Sequence, residues 1–354
     1  MNRLPLSHGA ATELVPLFRN MLRLCKVAPG ETILLYGDTH TPPHYPAAFL
    51  GAAQDLGAIP AMMMVPITSP AIQPWAPHDS AAARPGIIME AWKNAHLVID
   101  MTTAPGQKYT PVTAEALRSG TRILRVSLPF DDMQRMFPTP DVTRRVEAST
   151  AILKDARILR MTSDAGTDLV FDKTGRPVSH SDGIADEPGH WDMWPAGQVA
   201  VAPVEGSVEG ALVIDTGDII LNLGRYVDRP ITCVISGGRI TDIKGDGIDA
   251  FLLREWLAQW KDPNAYVVSH VGWGCHDKAN WLRMTAHWGE RGGLMDAESF
   301  CGDIQIAFGN NVSFSLQGRN DTRAHIDVEC RRCSFWVDGE LVVDHGTLVH
   351  PGLR

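Results

Sequence analysis

Two side chains near residue 325 are suited to hold a metal. The hexapeptide Arg323-Ala324-His325-Ile326-Asp327-Val328 places a carboxylate two residues after an imidazole. On a strand, alternate side chains share a face, so His325 and Asp327 would point the same way, side by side. That donor pair suits Fe(II), Mn(II) or Zn(II), not Ca(II). A lone His-x-Asp is more plainly a hydrogen-bonded pair on a solvated strand face, so the weight falls on a third donor. Residues 267–274, Val-Val-Ser-His-Val-Gly-Trp-Gly, read as a strand running into a Gly-rich turn. His270 would then stand at a strand end, facing a cleft. Two histidines and one carboxylate make the facial triad of non-haem Fe(II) oxygenases, which leaves positions open for substrate and O2. His276 and His287 are rival donors, but their segment, with Asp277, Lys278 and Asn280, reads as loop.

Other chemistries lack their patterns. The chain has no HExxH, no GxSxG and no GxxxxGK[ST]. It has no GxGxxG after an expected strand, so a nucleotide cofactor is poorly supported. Oxygenases that use 2-oxoglutarate place a second histidine well downstream of HxD, whereas here only His345 and His350 follow, both close. Cys330-Arg331-Arg332-Cys333 has zinc-pair spacing, yet a structural zinc needs four ligands and no second pair exists. A second polar cluster, residues 181–195, reads as a loop from its Gly and Pro content. It holds His190, Trp191, Trp194 and several acids, a composition suited to a planar ligand. Trp191, Trp194 and Trp273 are candidates to stack on a ring, with core packing the competing expectation. Asn310 and Asn311 follow an expected strand and are candidate hydrogen-bond donors, against an ordinary surface turn.

The elements that must position these groups come in two styles. In the first half, strands at 32–37, 61–65, 96–101 and 122–126 alternate with helices at 10–26, 46–56, 87–94 and 114–119. Such alternation implies parallel pairing with crossover helices. In the second half, strands at 158–161, 168–171, 198–204, 211–215, 231–235, 239–243, 266–271, 303–308, 324–328 and 334–337 dominate, with one helix at 248–259. The expected fold class is α/β: a doubly wound parallel-sheet domain over residues 1–150, then a metal-binding α+β domain with a mainly antiparallel sheet over 151–354. With 354 residues, two domains and ample core are expected. Hydrophobic content of 44% and charged content of 21% are ordinary for a globular chain. A net charge of −9 speaks against nucleic acid or an anionic membrane as partner. No apolar run reaches the roughly 18–20 residues needed to span a bilayer, and Met1-Asn2-Arg3-Leu4-Pro5 opens no signal peptide. A cytoplasmic enzyme is the expectation, and the six cysteines are expected to be free.

Longer stretches carry a family resemblance. Residues 195–210 (Pro-Ala-Gly-Gln-Val-Ala-Val-Ala-Pro-Val-Glu-Gly-Ser-Val-Glu-Gly), 270–274 and 296–309 resemble signature segments of the thermophilic, AmpS-like leucyl metallo-aminopeptidases, and the final His-x-Asp is shared. Three positions depart from that pattern. Gln198 and His270 stand where that family has Glu, and its ligand histidine is missing around Gly302-Asp303. A two-metal hydrolytic site needs bridging carboxylates. What remains fits one metal. The pattern resembles the 2,5-dihydroxypyridine 5,6-dioxygenases, which share the peptidase-like fold. That resemblance implies one Fe(II) per subunit on His270, His325 and Asp327. It further implies O2 and a small hydroxylated ring as substrates, N-formylmaleamic acid as product and a homo-oligomer. The 183–195 loop is also similar to that group, with His190 matching a histidine that takes the substrate proton. Met193, and the histidine-free stretch 102–109, stand where the group has further histidines. A metallo-aminopeptidase or related amide hydrolase is the alternative, and a non-catalytic binding or assembly module a third.

Overall fold

The computed structural model describes residues 11–66, 86–102, 108, 110–286 and 294–354. The first five residues, His287 and most of the stretch 102–109 lie outside the described residues. Two compact units emerge. One is Met1–Pro138 with Ser181–Ala196, and the other is Thr139–His180 with Gly197–Arg354.

The first unit is built on a five-stranded parallel sheet. Its order is Ile59–Val65, Thr32–Asp38, Leu97–Asp100, Arg122–Arg125, Trp191–Met193. The three strands Thr32–Asp38, Leu97–Asp100 and Arg122–Arg125 are buried along almost their whole length, as in a sheet covered by helices, while Ile59–Val65 is largely exposed. Leu35, Ile99 and Leu124 pack with Leu14, Phe18 and Phe49 of helices Ala11–Leu24 and His44–Asp55. Tyr36 meets Trp92 of helix Ile87–Lys93 edge-on at 5.1 Å. The doubly wound arrangement agrees with the alternating pattern of the sequence. The fifth strand was not expected: Trp191–Met193 comes from the segment read as a loop.

The expected boundary near residue 150 is corrected to 138/139. Helix Pro140–Lys154 buries Val142, Val146 and Leu153 in the core of the second unit. Its start is encoded locally: the Thr139 hydroxyl accepts from the Val142 amide at 3.4 Å, and Pro140 occupies the first turn. The 151–354 assignment is corrected as well, since 181–196 return to the first unit.

The second unit holds two sheets that share one core. The eight-stranded sheet runs Arg239–Lys244, Ile231–Ser236, Glu209–Ile214, Asp168–Asp172, Ile158–Ser163, Cys333–Val337, Glu340–Asp344, Thr347–Leu348. The seven-stranded sheet runs Arg225–Tyr226, Ile219–Ile220, His325–Cys330, Ile304–Gly309, Val268–Gly274, Gln198–Val201, Ser179–Ser181. From Arg225–Tyr226 through Gln198–Val201 its neighbouring strands pair antiparallel. Val199, Val201, Val271, Trp273, Ile304, Ile306, Phe308, Ile326 and Val328 turn one face of that sheet into the core. Alternation puts Gln198, Gly272, Gln305, Ala307, His325, Asp327 and Glu329 on the other. Burial of Ile326 and Val328 contributes about 1.5–3 kcal/mol each. A slip of one residue would exchange them with His325 and Asp327, so core packing also fixes where the polar pair points.

One strand breaks the alternation. Between Val268 and His270 the register slips: Val268 pairs with Phe308 but His270 with Ala307. The extra residue, Ser269, is a β-bulge, and it lets Val268 and Val271 both face the core. His270 is thereby turned to the polar face. The strand then continues to Gly274 rather than ending at Val271, a correction to the expected turn. Gly272 makes that continuation possible, because a Cβ there would lie 1.8 Å from the Val199 carbonyl oxygen. Gly272→Ala is therefore expected to part these strands and destabilise the protein by about 2 kcal/mol or more, read as a lower urea midpoint.

Candidate metal centre

Three strands deliver the triad. His270 comes from Val268–Gly274, and His325 and Asp327 from His325–Cys330, with Ile304–Gly309 paired between them. The three are almost wholly buried, and their ligand atoms lie within 4.8 Å of one another. The imidazole Nε2 atoms both approach Asp327 Oδ1, at 3.5 Å from His270 and 3.2 Å from His325. The rings lie nearly parallel, 5.4 Å apart.

One main-chain carbonyl governs both rings. His325 Nδ1 lies 2.9 Å from the Asn310 carbonyl oxygen, which can only accept, so Nδ1 carries the hydrogen. The Ser269 hydroxyl donates to the same oxygen at 2.7 Å. Its remaining capacity is to accept from His270 Nδ1, 3.3 Å away. Both histidines are thus held with Nε2 as the lone-pair nitrogen, the form a metal requires. Asn222 supports the other side. Its side-chain amide donates to the His325 carbonyl at 2.9 Å and accepts from the Asp327 amide at 2.8 Å, extending the sheet pairing with a side chain.

The donor set fits a metal. Bonds of about 2.1 Å at right angles would set neighbouring donors about 3 Å apart, near the distances seen here. Two imidazoles and one carboxylate, with no thiolate, suit a first-row divalent ion with open positions. Burial alone would pull the His325 pKa down. The Asp327 charge and hydrogen bond, together with the Asn310 carbonyl, outweigh it and leave the value raised. On the same face, Asp303 and Glu329 are wholly buried. Burial pushes both carboxyls well above the usual range, and the Asp303 charge pushes Glu329 further.

The expected site residues separate into groups. His270, His325 and Asp327 come together, and among the described residues they form the one His/Cys/Asp/Glu cluster able to hold an ion. His276 is wholly buried and outside that cluster, with Nδ1 accepting from the Lys278 amide. Asn310 is close to the histidines, but its side chain is engaged elsewhere, a correction to its reading as a substrate donor. Its amide nitrogen donates to the Thr322 carbonyl at 2.8 Å, and its side-chain oxygen accepts from the Val312 amide. Asn311 likewise accepts from the Asn320 amide within the same loop. Trp273 is also corrected. It lies on the core face, opposite His270, with Nε1 donating to Ser149 Oγ at 2.9 Å and its ring against Phe335.

Trp194 is buried in the first unit, edge-on to Phe18 and Phe137. His190 and Trp191 also belong to the first unit. His190 is half-buried, with Nδ1 3.9 Å from Asp186 and Nε2 3.8 Å from Asp192. Lys108 lies over the Trp191 ring, 4.9 Å from its centre. Cys330 and Cys333 are buried at a hairpin and free. Sequence reading missed Asn222, Ser269 and the Asn310 carbonyl. A buried-strand histidine flanked by serine gave no signal of which partner holds it.

Comparison with known proteins places the fold. A solved structure of 2,5-dihydroxypyridine dioxygenase from Pseudomonas putida KT2440 matches with a TM-score of 0.92 at 34% identity, covering 98% of this chain and all of that one. Wild-type AmpT from Thermus thermophilus matches with a TM-score of 0.67 at 14% identity, over 96% of this chain and 99% of its own, which shows a shared fold. The near-complete superposition on the first makes this the fold of a dioxygenase. A family model described as 2,5-dihydroxypyridine 5,6-dioxygenase matches residues 13–350. The curated 2,5-dihydroxypyridine 5,6-dioxygenase of Pseudomonas putida KT2440 is 34% identical over 98% of both chains. The chain belongs to the 2,5-dihydroxypyridine 5,6-dioxygenase family, as the sequence segments suggested.

Two outcomes test the centre. Asn222→Ala should weaken binding of a divalent metal by about 10–100-fold while His325→Ala abolishes it, both read by competition with a chromogenic chelator. Metal must displace the proton from His325, and that proton is held above the ordinary histidine value of about 6.5. Affinity should therefore start to fall at a pH above that value on acidification. An affinity flat down to pH 6 would contradict the raised His325 pKa.

Proposed function

We propose that the chain binds one Fe(II) per subunit on His270, His325 and Asp327 and opens the ring of 2,5-dihydroxypyridine, or a closely related hydroxylated N-heterocycle, with O2. The reading rests above all on the buried triad, with both histidine tautomers set by the Asn310 carbonyl. Family membership supports the substrate. Bound there, Fe(II) would supply a Lewis acid for a ring oxygen and a redox route to O2. The atoms balance for N-formylmaleamic acid as product, since one ring and one O2 account for all of it.

The protein's own groups would do the rest. His190, half-buried with Asp186 and Asp192 3.9 and 3.8 Å from its ring nitrogens, would accept the ring hydroxyl proton. Trp191 is the remaining candidate to cover a ring. Trp194 and Trp273 serve the two cores. The near-complete burial of the triad limits water at the reacting centre. No helix among the described residues is long and apolar enough to cross a membrane, and we infer a cytoplasmic homo-oligomer.

The test is anaerobic loading with Fe(II), then addition of 2,5-dihydroxypyridine with O2 uptake and ring absorbance recorded together. One O2 per ring lost is expected, with a fall of at least about a thousandfold in His270→Ala and Asp327→Ala. Failure to consume O2 with any hydroxylated ring, together with two bound metals and release of amino acids from peptides, would return the chain to the metallo-aminopeptidases.

A further inference from the structure

Beside the triad, the polar face of the seven-stranded sheet carries a chain of three side chains whose direction is fixed. Gln305, on Ile304–Gly309, is buried, and its register neighbours are Gly272 on one side and Glu329 on the other. Its Oε1 lies 3.3 Å from His270 Nε2. Its Nε2 donates to Gln198 Oε1 at 3.0 Å, and Gln198 Nε2 donates to Glu298 Oε2 at 3.1 Å. An amide can be turned either way, but a carboxylate accepts. Glu298 therefore draws the NH2 of Gln198, which leaves the Gln198 oxygen to draw the NH2 of Gln305. The carbonyl oxygen of Gln305 is left facing His270. On the side away from Glu329 the residues on this face are small: Gly272 and Ala307 beside it, Ala200 one strand further on.

The tautomer that Ser269 sets leaves His270 Nε2 with no hydrogen for that oxygen, and a metal taking the Nε2 lone pair keeps it so. A buried carbonyl without a donor is costly. The donor best placed to satisfy it is a group on the ligand held at the open metal positions. In 2,5-dihydroxypyridine the 2-hydroxyl and the ring nitrogen share one mobile hydrogen, as O–H in one tautomer and N–H in the other.

We propose that Gln305 is a specificity-determining residue whose Oε1 accepts this hydrogen from the ring bound at the triad, with Gln198 and Glu298 as positioning residues that keep the oxygen turned inward. The proposal rests on the ring-binding function above and names the part of the substrate that is read. A ring with only the metal-binding hydroxyl lacks the hydrogen and leaves Gln305 unsatisfied.

The test is equilibrium binding to the Fe(II)-loaded protein without O2, so no turnover intervenes. The ligands are 2,5-dihydroxypyridine and 3-hydroxypyridine, which keeps the metal-binding hydroxyl and lacks the second one. The wild type should prefer 2,5-dihydroxypyridine by at least about tenfold. Gln305→Leu should lose most of that preference, weakening only 2,5-dihydroxypyridine while still binding one metal per subunit. Glu298→Gln, which keeps the shape but lets the amides reverse, should lose part of it; this variant carries the test if the leucine variant does not fold. Equal weakening of both rings, or an unchanged preference in both variants, overturns the role of Gln305 and leaves the ring-binding function standing. A wild type that binds neither ring overturns the function itself, and this inference with it.

Discussion

The site depends on a conflict between two demands on one strand. Val268 and Val271 must both reach the core, yet His270 between them must not. A regular strand cannot meet both demands, because its side chains alternate strictly. The bulge at Ser269 resolves this by spending one residue without a ladder partner. The hydroxyl of that same residue then fills the space between His270 and the Asn310 carbonyl. The irregularity thus aims the imidazole and supplies the hydrogen-bond partner that sets its tautomer. Removing the conflict by regularising the strand would place His270 among valines and phenylalanines.

His325 and Asp327 need no such device. Their strand is regular, buried and flanked on both sides, and Ile326 and Val328 hold it like pegs. The contrast explains why the two halves of the triad differ in how they are supported. One is fixed by sheet packing with a side-chain clamp from Asn222, the other by a local distortion tied to a loop. The loop itself, residues 310–322, is cross-linked by asparagines: Asn311 accepts from Asn320, and Asn320 donates to the Gly309 and Asn264 carbonyls. Such a loop presents the Asn310 carbonyl from a rigid base, which a metal site needs more than it needs the side chain of Asn310.

Much of this was legible in the residues, and for identifiable reasons. Strand-like segments parted by Gly, Asp and Pro turns located the long strands of the second unit, and His-x-Asp on such a strand necessarily shares a face. Apolar runs between helical segments identified the parallel sheet. The rest was hidden where local pattern and global placement disagree. Residues 181–196 have the Gly and Pro content of a loop and mostly behave as one, yet three of them pair with Arg122–Arg125. Helix Pro140–Lys154 was not expected, although Thr139-Pro140 marks its start, and nothing nearby says which core it joins. Trp273 looked available because it fell in the Gly-rich turn expected after the strand. Its parity after the bulge sends it the other way. Main-chain acceptors such as the Asn310 carbonyl leave no trace in side-chain identity at all.

The return of the chain to its first unit has a consequence for how the molecule is made. During synthesis the N-terminal strands emerge early, but the parallel sheet lacks its last member until Trp191–Met193 has left the ribosome. Before that happens, residues 139–180 of the other unit have already been produced. Neither unit corresponds to an uninterrupted stretch of the gene. An N-terminal fragment ending at Pro138 would expose Arg122–Arg125 as a bare sheet edge, buried in the finished protein and prone to pair with another chain. The order in which the residues appear therefore holds the early half unfinished, and open to wrong partners, until a short segment decoded much later closes it.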